Sequence, residues 1–193
     1  MAKTIRLVFL ALCLIGVETA PFARQVNAEQ AAAELPPDFR LAIPSIGLDL
    51  PVGEAHTIQD TWYIPRVTNR VEHLQARPLP GQNDNVPLAG HVDLGPRRPA
   101  AFFKLKNVAL NDTVYVTYDG MLYTYIVERM WLVVPTDISP LYPTDHEMLT
   151  LITCGGDHVG SGYAERLIVR ATMIGRQVVP HPESEPSWRP VTP

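Results

Sequence analysis

Cysteine is nearly absent from this chain: among 193 residues there are two, Cys13 and Cys154. No Cys-x-x-Cys pair, no His-Glu-x-x-His run and no phosphate-binding glycine loop occurs. Thioredoxin-like, metalloprotease and nucleotide-binding readings therefore have no support. Charge is also sparse. Asp, Glu, Lys and Arg make up 19% of the residues and the net charge is −4, which gives no electrostatic reason to expect nucleic acid. The 12 glycines are outnumbered by 19 prolines, a balance that favours stiff loops and few long helices. What is present is a 46% hydrophobic chain, long enough for one domain with a sizeable core plus appendages.

The N-terminal residues Met1 to Arg6 are short and basic, and Leu7 to Val17 form an apolar run interrupted only by Gly16. That run matches the apolar region of a secretory signal and falls short of the ~20 residues that cross a bilayer. Residues 1–28 are expected to act as a signal peptide, with weak cleavage sites at Pro21-Phe22-Ala23 and Val26-Asn27-Ala28, or as a short membrane anchor. In either case the remainder is exported. Cys13 lies inside this segment, so the exported part holds one cysteine, Cys154, with no intramolecular disulfide partner. An unpaired thiol outside the cytoplasm is buried or used.

Residues 29–38 read as a spacer. Short strands then dominate. Arg40 to Pro44 and Ile46 to Val52 suggest a first strand pair confined by its prolines to edges or bends, and Trp62 to Pro65 a short strand. Arg66 to Asn85 reads as a long irregular stretch of the kind that is often functional. Val86 to Asp93 is an apolar strand ending near a histidine, and Ala101 to Leu105 fits one or two helical turns. Asp112 to Gly120 alternates and turns through Asp119-Gly120 into Leu122 to Val134, a hairpin pattern. Leu149 to Cys154, a loop from Gly155 to Glu165, and a strand from Arg166 to Ile174 complete the domain at 39–176. The Pro-rich tail 177–193 has little to pack. The expected class is an all-β barrel or sandwich.

Cys154 is expected at the last residue of its strand, where two glycines break the chain. A side chain there projects from a sheet rim while its backbone stays fixed. His91 and Arg166 fall at the ends of two other strands, and one sheet could bring all three ends together. The combination has chemical sense. A thiol with a pKa of ~8.5 is mostly protonated at neutral pH, and a neighbouring positive charge favours its thiolate. Histidine can pass a proton to a leaving amine, and arginine can donate hydrogen bonds to an oxyanion. Each residue alone has a plainer reading: a small buried hydrophobe, a loop histidine, a solvated strand-end charge.

Leu149-Thr150-Leu151-Ile152-Thr153-Cys154 resembles the Thr-Leu-x-Thr-Cys signature of the sortases. Leu88-Ala89-Gly90-His91, with Pro80 to Asn85 leading into it, resembles the family's histidine motif, and Arg166-Leu167-Ile168-Val169 its arginine-led strand. The order is the family's, and the resemblance covers residues 38 to 175. It implies a closed β-barrel of about eight strands with one or two short helices, and cysteine transpeptidation at a prokaryotic cell surface without a cofactor. Cys154 would be the nucleophile, His91 the general acid/base and Arg166 the oxyanion and substrate binder. The substrate would be a Leu-Pro-x-Thr-Gly-like sorting signal, and the acceptor an amine of a cell-wall precursor or a pilin lysine. Thr153, Ala89 and Leu88 would line the substrate groove, and Asp93 and His158 are auxiliary candidates. Cys154-Gly155-Gly156-Asp157 looks most like the actinobacterial and Chloroflexi-type classes E and F. No cluster of acidic residues like the calcium site of some class A members is recognisable.

Three other readings compete with this one. The L,D-transpeptidases place glycine before the cysteine and arginine two residues after it, whereas here glycine follows Cys154 and the arginine is twelve residues away. A zinc site from Cys154, His91 and His158 lacks the close ligand pairs of structural zinc. A catalytically silent barrel that only binds peptide or wall material is opposed by the intact trio.

Overall fold

The structure, a computed structural model, describes residues 35–179 except Pro96 and Ser161. The expectations for 1–28 and for most of the Pro-rich tail lie outside the described residues. Ten strands run in order: β1 (Arg40–Ile43), β2 (Leu48–Ala55), β3 (Thr57–Ile58), β4 (Thr61–Trp62), β5 (Val71–Leu74), β6 (Asn85–Ala89), β7 (Thr113–Tyr118), β8 (Met121–Val133), β9 (Met148–Val159) and β10 (Gly162–Val178). Eight of them close a barrel in the order β1-β2-β5-β6-β9-β10-β8-β7, and β3 and β4 form a separate hairpin. The only helical elements among the described residues are three single 3-10 turns, at Pro44–Ile46, Leu105–Asn107 and Ser139–Leu141. The all-β class and the closed eight-strand barrel agree with expectation. Closure removes the sheet edges that would otherwise be left unpaired.

Period-2 patterning builds the interior. Leu41 and Ile43, Val86 and Leu88, Val114 and Val116, Tyr123, Tyr125 and Val127, Leu149 and Leu151, and Val169 and Ala171 point into one core with Phe39 and Phe102. The opposite face of β9 carries Thr150, Ile152 and Cys154. A second apolar cluster forms outside the barrel, where Ala55, Leu74 and Ala89 meet Trp62, Ile64, Leu141 and Ile152. The β7–β8 hairpin turns through Asp119 and Gly120, both with positive φ (50° and 69°), as the Asp-Gly pair requires.

Three elements differ from the sequence expectation. β5 lies within the stretch read as irregular. Glu72 and His73 interrupt its apolar pattern, yet both are buried, because each has a polar partner: Arg70 Nε donates to Glu72 at 2.6 Å, and His73 Nε2 donates to the Pro78 carbonyl at 3.0 Å. The second difference concerns Cys154, which is not the last residue of its strand. β9 continues to Val159 and pairs with the start of β10 beyond a register shift between Tyr163 and Glu165. Gly156, at φ +70°, supplies the left-handed residue of that bulge. The glycine pair bends the strand without ending it, and the supposed loop from Gly155 to Glu165 is a hairpin. The third is the end of the barrel: β10 runs to Val178, paired with Met121, so the last strand passes the expected boundary at 176.

Candidate active site

Register brings Arg166 to Cys154. In the antiparallel β9–β10 pair Arg166 stands directly opposite Cys154, Ile168 opposite Ile152 and Arg170 opposite Thr150. Directly opposed residues share a face, with Cβ atoms ~5 Å apart. The arginine is therefore fixed beside the thiol by backbone pairing rather than by loop folding. Its guanidinium makes one hydrogen bond among the described residues, Nη1 to the Glu165 carbonyl at 3.2 Å, and no ion pair with them, so most of its donors are unspent.

His91 arrives from the other side. β6 runs parallel to β9 with Ala89 opposite Ile152, and Gly90 N donates to the Ile152 carbonyl at 3.1 Å. The next residue, His91, thus emerges beside the outer face on which Cys154 lies. Its Nε2 sits 3.2 Å from the Ile64 carbonyl. A carbonyl only accepts, so Nε2 carries the hydrogen, and Nδ1 is left as the basic atom of the neutral ring. Cys154, His91 and Arg166 are all half-buried.

The other expected site residues take distinct places. Ala89 belongs to the outer apolar cluster beside Ile152. Thr153 is buried at the cleft floor, and its hydroxyl donates to the Gly90 carbonyl at 2.8 Å, which ties β9 to the residue before His91. Leu88 points into the barrel and is fully buried, so it supports the wall from behind and lines no groove. Asp93 faces away from a direct bond with His91. Its Oδ1 accepts from Gly95 N at 3.0 Å and its Oδ2 from the Tyr163 hydroxyl. Those bonds, Tyr163 first, hold its carboxyl below the usual range, with His158 and His91 adding a smaller pull. Conversely, Asp93 pushes the Tyr163 hydroxyl up to about 12. His158 packs edge-on against Tyr163 with ring centroids 5.1 Å apart.

Sequence reasoning missed Tyr163, which bridges the segments that carry the thiol and the histidine. Gly160 and Gly162, spaced as in a tight hairpin, were the available signal. It also missed Glu72, buried on the sheet opposite Ala89. Burial pushes this carboxyl up against the opposing pull of Arg70. A cavity of about 350 Å³ opens at the thiol, bounded by Thr153, Cys154, Tyr163, Phe103, Leu132 and Leu167. No group of three or more His, Cys, Asp or Glu residues that could hold a metal ion occurs among the described residues.

A closed barrel that presents a thiol opposite an arginine, with a histidine just past the end of the neighbouring parallel strand, has the groups needed for cysteine acyl transfer. Comparison with known proteins gives the family. The model of the sortase domain matches residues 41–174, and the chain belongs to the sortase family, whose members are cysteine transpeptidases. Sortase A of Corynebacterium diphtheriae, in a lid mutant, is similar at 28% identity and TM-score 0.60, over 83% of this chain and 78% of that one. Sortase C-1 of Actinomyces oris is similar at 28% and 0.60, over 72% and 75%. Sortase A of Listeria monocytogenes, at 22% identity and TM-score 0.61 over 74% and 90%, shares the fold. A comparison with curated proteins finds no match.

Proposed function

We propose that this sortase cleaves a Leu-Pro-x-Thr-Gly-like sorting signal and transfers the acyl part to an amine at the outer surface of a prokaryotic cell. One observation carries the assignment of roles: Arg166 stands directly across from Cys154 with its guanidinium largely unspent, inside a sortase barrel. The Cys154 thiolate attacks the carbonyl carbon of the scissile peptide bond. Arg166 donates to the oxyanion that forms, a contribution of ~2.7–4 kcal/mol for a donor of this type. His91, as imidazolium, gives its proton to the leaving amine as the C–N bond breaks, and a thioester remains on Sγ. An acceptor amine then attacks the thioester carbonyl, passes its proton to His91, and the thiolate leaves.

The outer apolar cluster of Ala89, Ile152, Leu74, Trp62, Ile64 and Leu141 offers an apolar surface for the apolar residues of the acyl side. The acceptor is an amine of a cell-wall precursor or a pilin lysine, and residues 1–28 deliver or anchor the enzyme. Within the family we place the chain nearest classes E and F, on the run from Cys154 to Asp157.

The test is cleavage of Leu-Pro-x-Thr-Gly and Leu-Ala-x-Thr-Gly peptides, followed by chromatography, with the wild-type chain and Cys154→Ala. Cleavage by the wild type alone, with an unchanged folded spectrum for the variant, supports the reading. Equal cleavage by both removes Cys154 from its role, and no cleavage of any motif by a thiol open to alkylation favours a silent peptide-binding barrel.

A further inference from the structure

The cavity at Cys154 does not end at the thiol. Phe103 and Tyr163 bound it, and the same two residues also bound a second cavity of about 370 Å³, whose other walls include Asp93, Arg97, Arg98 and His158. Of the apolar cluster assigned to the acyl group, no residue lines this second space.

Its charge is unbalanced. Arg97 and Arg98 form no ion pair with any described residue. The one carboxylate in the wall, Asp93, is already engaged through both oxygens, by Gly95 N and by the Tyr163 hydroxyl. Backbone hydrogen bonds also tie the residues around the arginines together. Leu94 N donates to the Arg98 carbonyl at 2.9 Å, Arg98 N to the Gly95 carbonyl at 3.1 Å, and Ala100 N to the Val92 carbonyl at 3.0 Å. Arg97 is held at φ +61°, a conformation uncommon for a residue with a side chain and worth a functional explanation.

We propose that Arg97 and Arg98 bind a carboxylate of the acceptor, so that this enzyme prefers an amine carrying a carboxylate within a few bonds. The inference rests on Cys154 being the thiol that carries the acyl group. Two guanidinium forks match a carboxylate in charge and geometry. They would seat the acceptor in the second cavity with its amine directed past Tyr163 towards the thioester. They also assist the chemistry. A free carboxylate stabilises the neighbouring ammonium and keeps the amine protonated; neutralising it lowers the amine pKa and raises the share of attacking free base. In the step itself the amine lone pair forms a C–N bond to the thioester carbonyl carbon. The C–S bond breaks with its electron pair on Sγ, and the amine proton goes to His91.

The test compares diglycine with glycylglycinamide as acceptors for the full-length chain, using a sorting peptide that it cleaves. The readout is the ratio of ligation kcat/KM for the two acceptors, so any change in the acylation step cancels. The wild type is expected to favour diglycine by ~10-fold or more, the worth of a charge-assisted hydrogen bond. The Arg97→Ala, Arg98→Ala double variant is expected to bring the ratio close to one. A wild-type ratio near one, or a ratio that survives the double variant, overturns the acceptor site while leaving the sortase reading intact. Failure of the wild type to cleave any sorting peptide overturns both, which separates the two failures.

Discussion

The segment between β8 and β9, residues 134–147, contributes Leu141 to the outer apolar cluster, and one buried amide fastens it to the barrel. Asn85, fully buried, donates from Nδ2 to the Pro140 carbonyl at 2.8 Å and to the Tyr142 carbonyl at 3.0 Å, and its Oδ1 accepts from the Thr150 hydroxyl at 2.6 Å. Arg170 Nη2 also reaches the Pro140 carbonyl, at 2.7 Å, and the Arg77 guanidinium reaches the Leu141 carbonyl. Replacing Asn85 by Ala therefore does not strand Pro140. It strands the Tyr142 carbonyl and removes the acceptor of the Thr150 hydroxyl. Two such groups at ~1–3 kcal/mol each, partly relieved as the segment relaxes towards water, amount to about 3 kcal/mol. For a chain of this size that is a fall in Tm of about 6–12 °C. Asn85→Asp should be worse than its small size change suggests, because it sets a carboxylate oxygen against two carbonyls. Thermal and urea unfolding of both variants provide the assay, with KM for the sorting peptide as a second readout, expected to rise as Leu141 loosens. A loss under ~0.5 kcal/mol for Asn85→Ala, or an Asn85→Asp variant as stable as wild type, would refute this account of how the segment is held.

Three further outcomes are expected. Arg166→Lys should lower kcat for peptide cleavage by ~100-fold or more with little change in Tm, because an ammonium lacks the planar fork of donors; near-normal kcat would move the oxyanion role elsewhere. Gly155→Ala should lose both stability and activity, since a Cβ there would lie 2.9 Å from Leu132 Cδ2 and 2.9 Å from the Leu167 backbone nitrogen, and a wild-type Tm would show that β9 and β10 separate freely beside the thiol. Asp93, whose carboxyl is held below its ordinary value, contributes stability that is present above the unfolded pKa of ~3.9 and lost as pH falls through the lower folded value. Asp93→Asn should flatten that acid limb, and in an ultraviolet titration it should bring Tyr163 down from about 12 towards ~10; an unmoved tyrosine would show that the two groups are not coupled in solution.

Legibility from sequence followed the local physics. The β7–β8 hairpin was readable because strict alternation and an Asp-Gly turn agree. Cys154 and Arg166 were both identified, but their direct opposition was not, since register depends on pairing across a hairpin that the sequence reading treated as a loop. The two glycines after Cys154 looked like a strand end; only the bulge at Gly156 shows how a strand can pass through them. β5 was hidden because Glu72 and His73 occupy positions that an apolar pattern would fill, and their partners Arg70 and Pro78 identify themselves only in three dimensions. Leu88 was grouped with the groove from its place in the histidine motif, although the period of two that puts Ala89 outside must put Leu88 inside. Arg97 and Arg98 come from the stretch after β6 and Tyr163 from the start of β10, and nothing local joins them to a site.

The most direct test of the central claim is the mass of the protein itself. The full-length chain is mixed with a Leu-Pro-x-Thr-Gly peptide, quenched in acid and weighed intact, then digested to locate any adduct. The account predicts an added mass equal to the peptide's acyl part, carried on Cys154, absent from Cys154→Ala, and discharged when an amine is supplied. Cleaved peptide with no adduct on Cys154 under any quench, or an adduct on another residue, would contradict it.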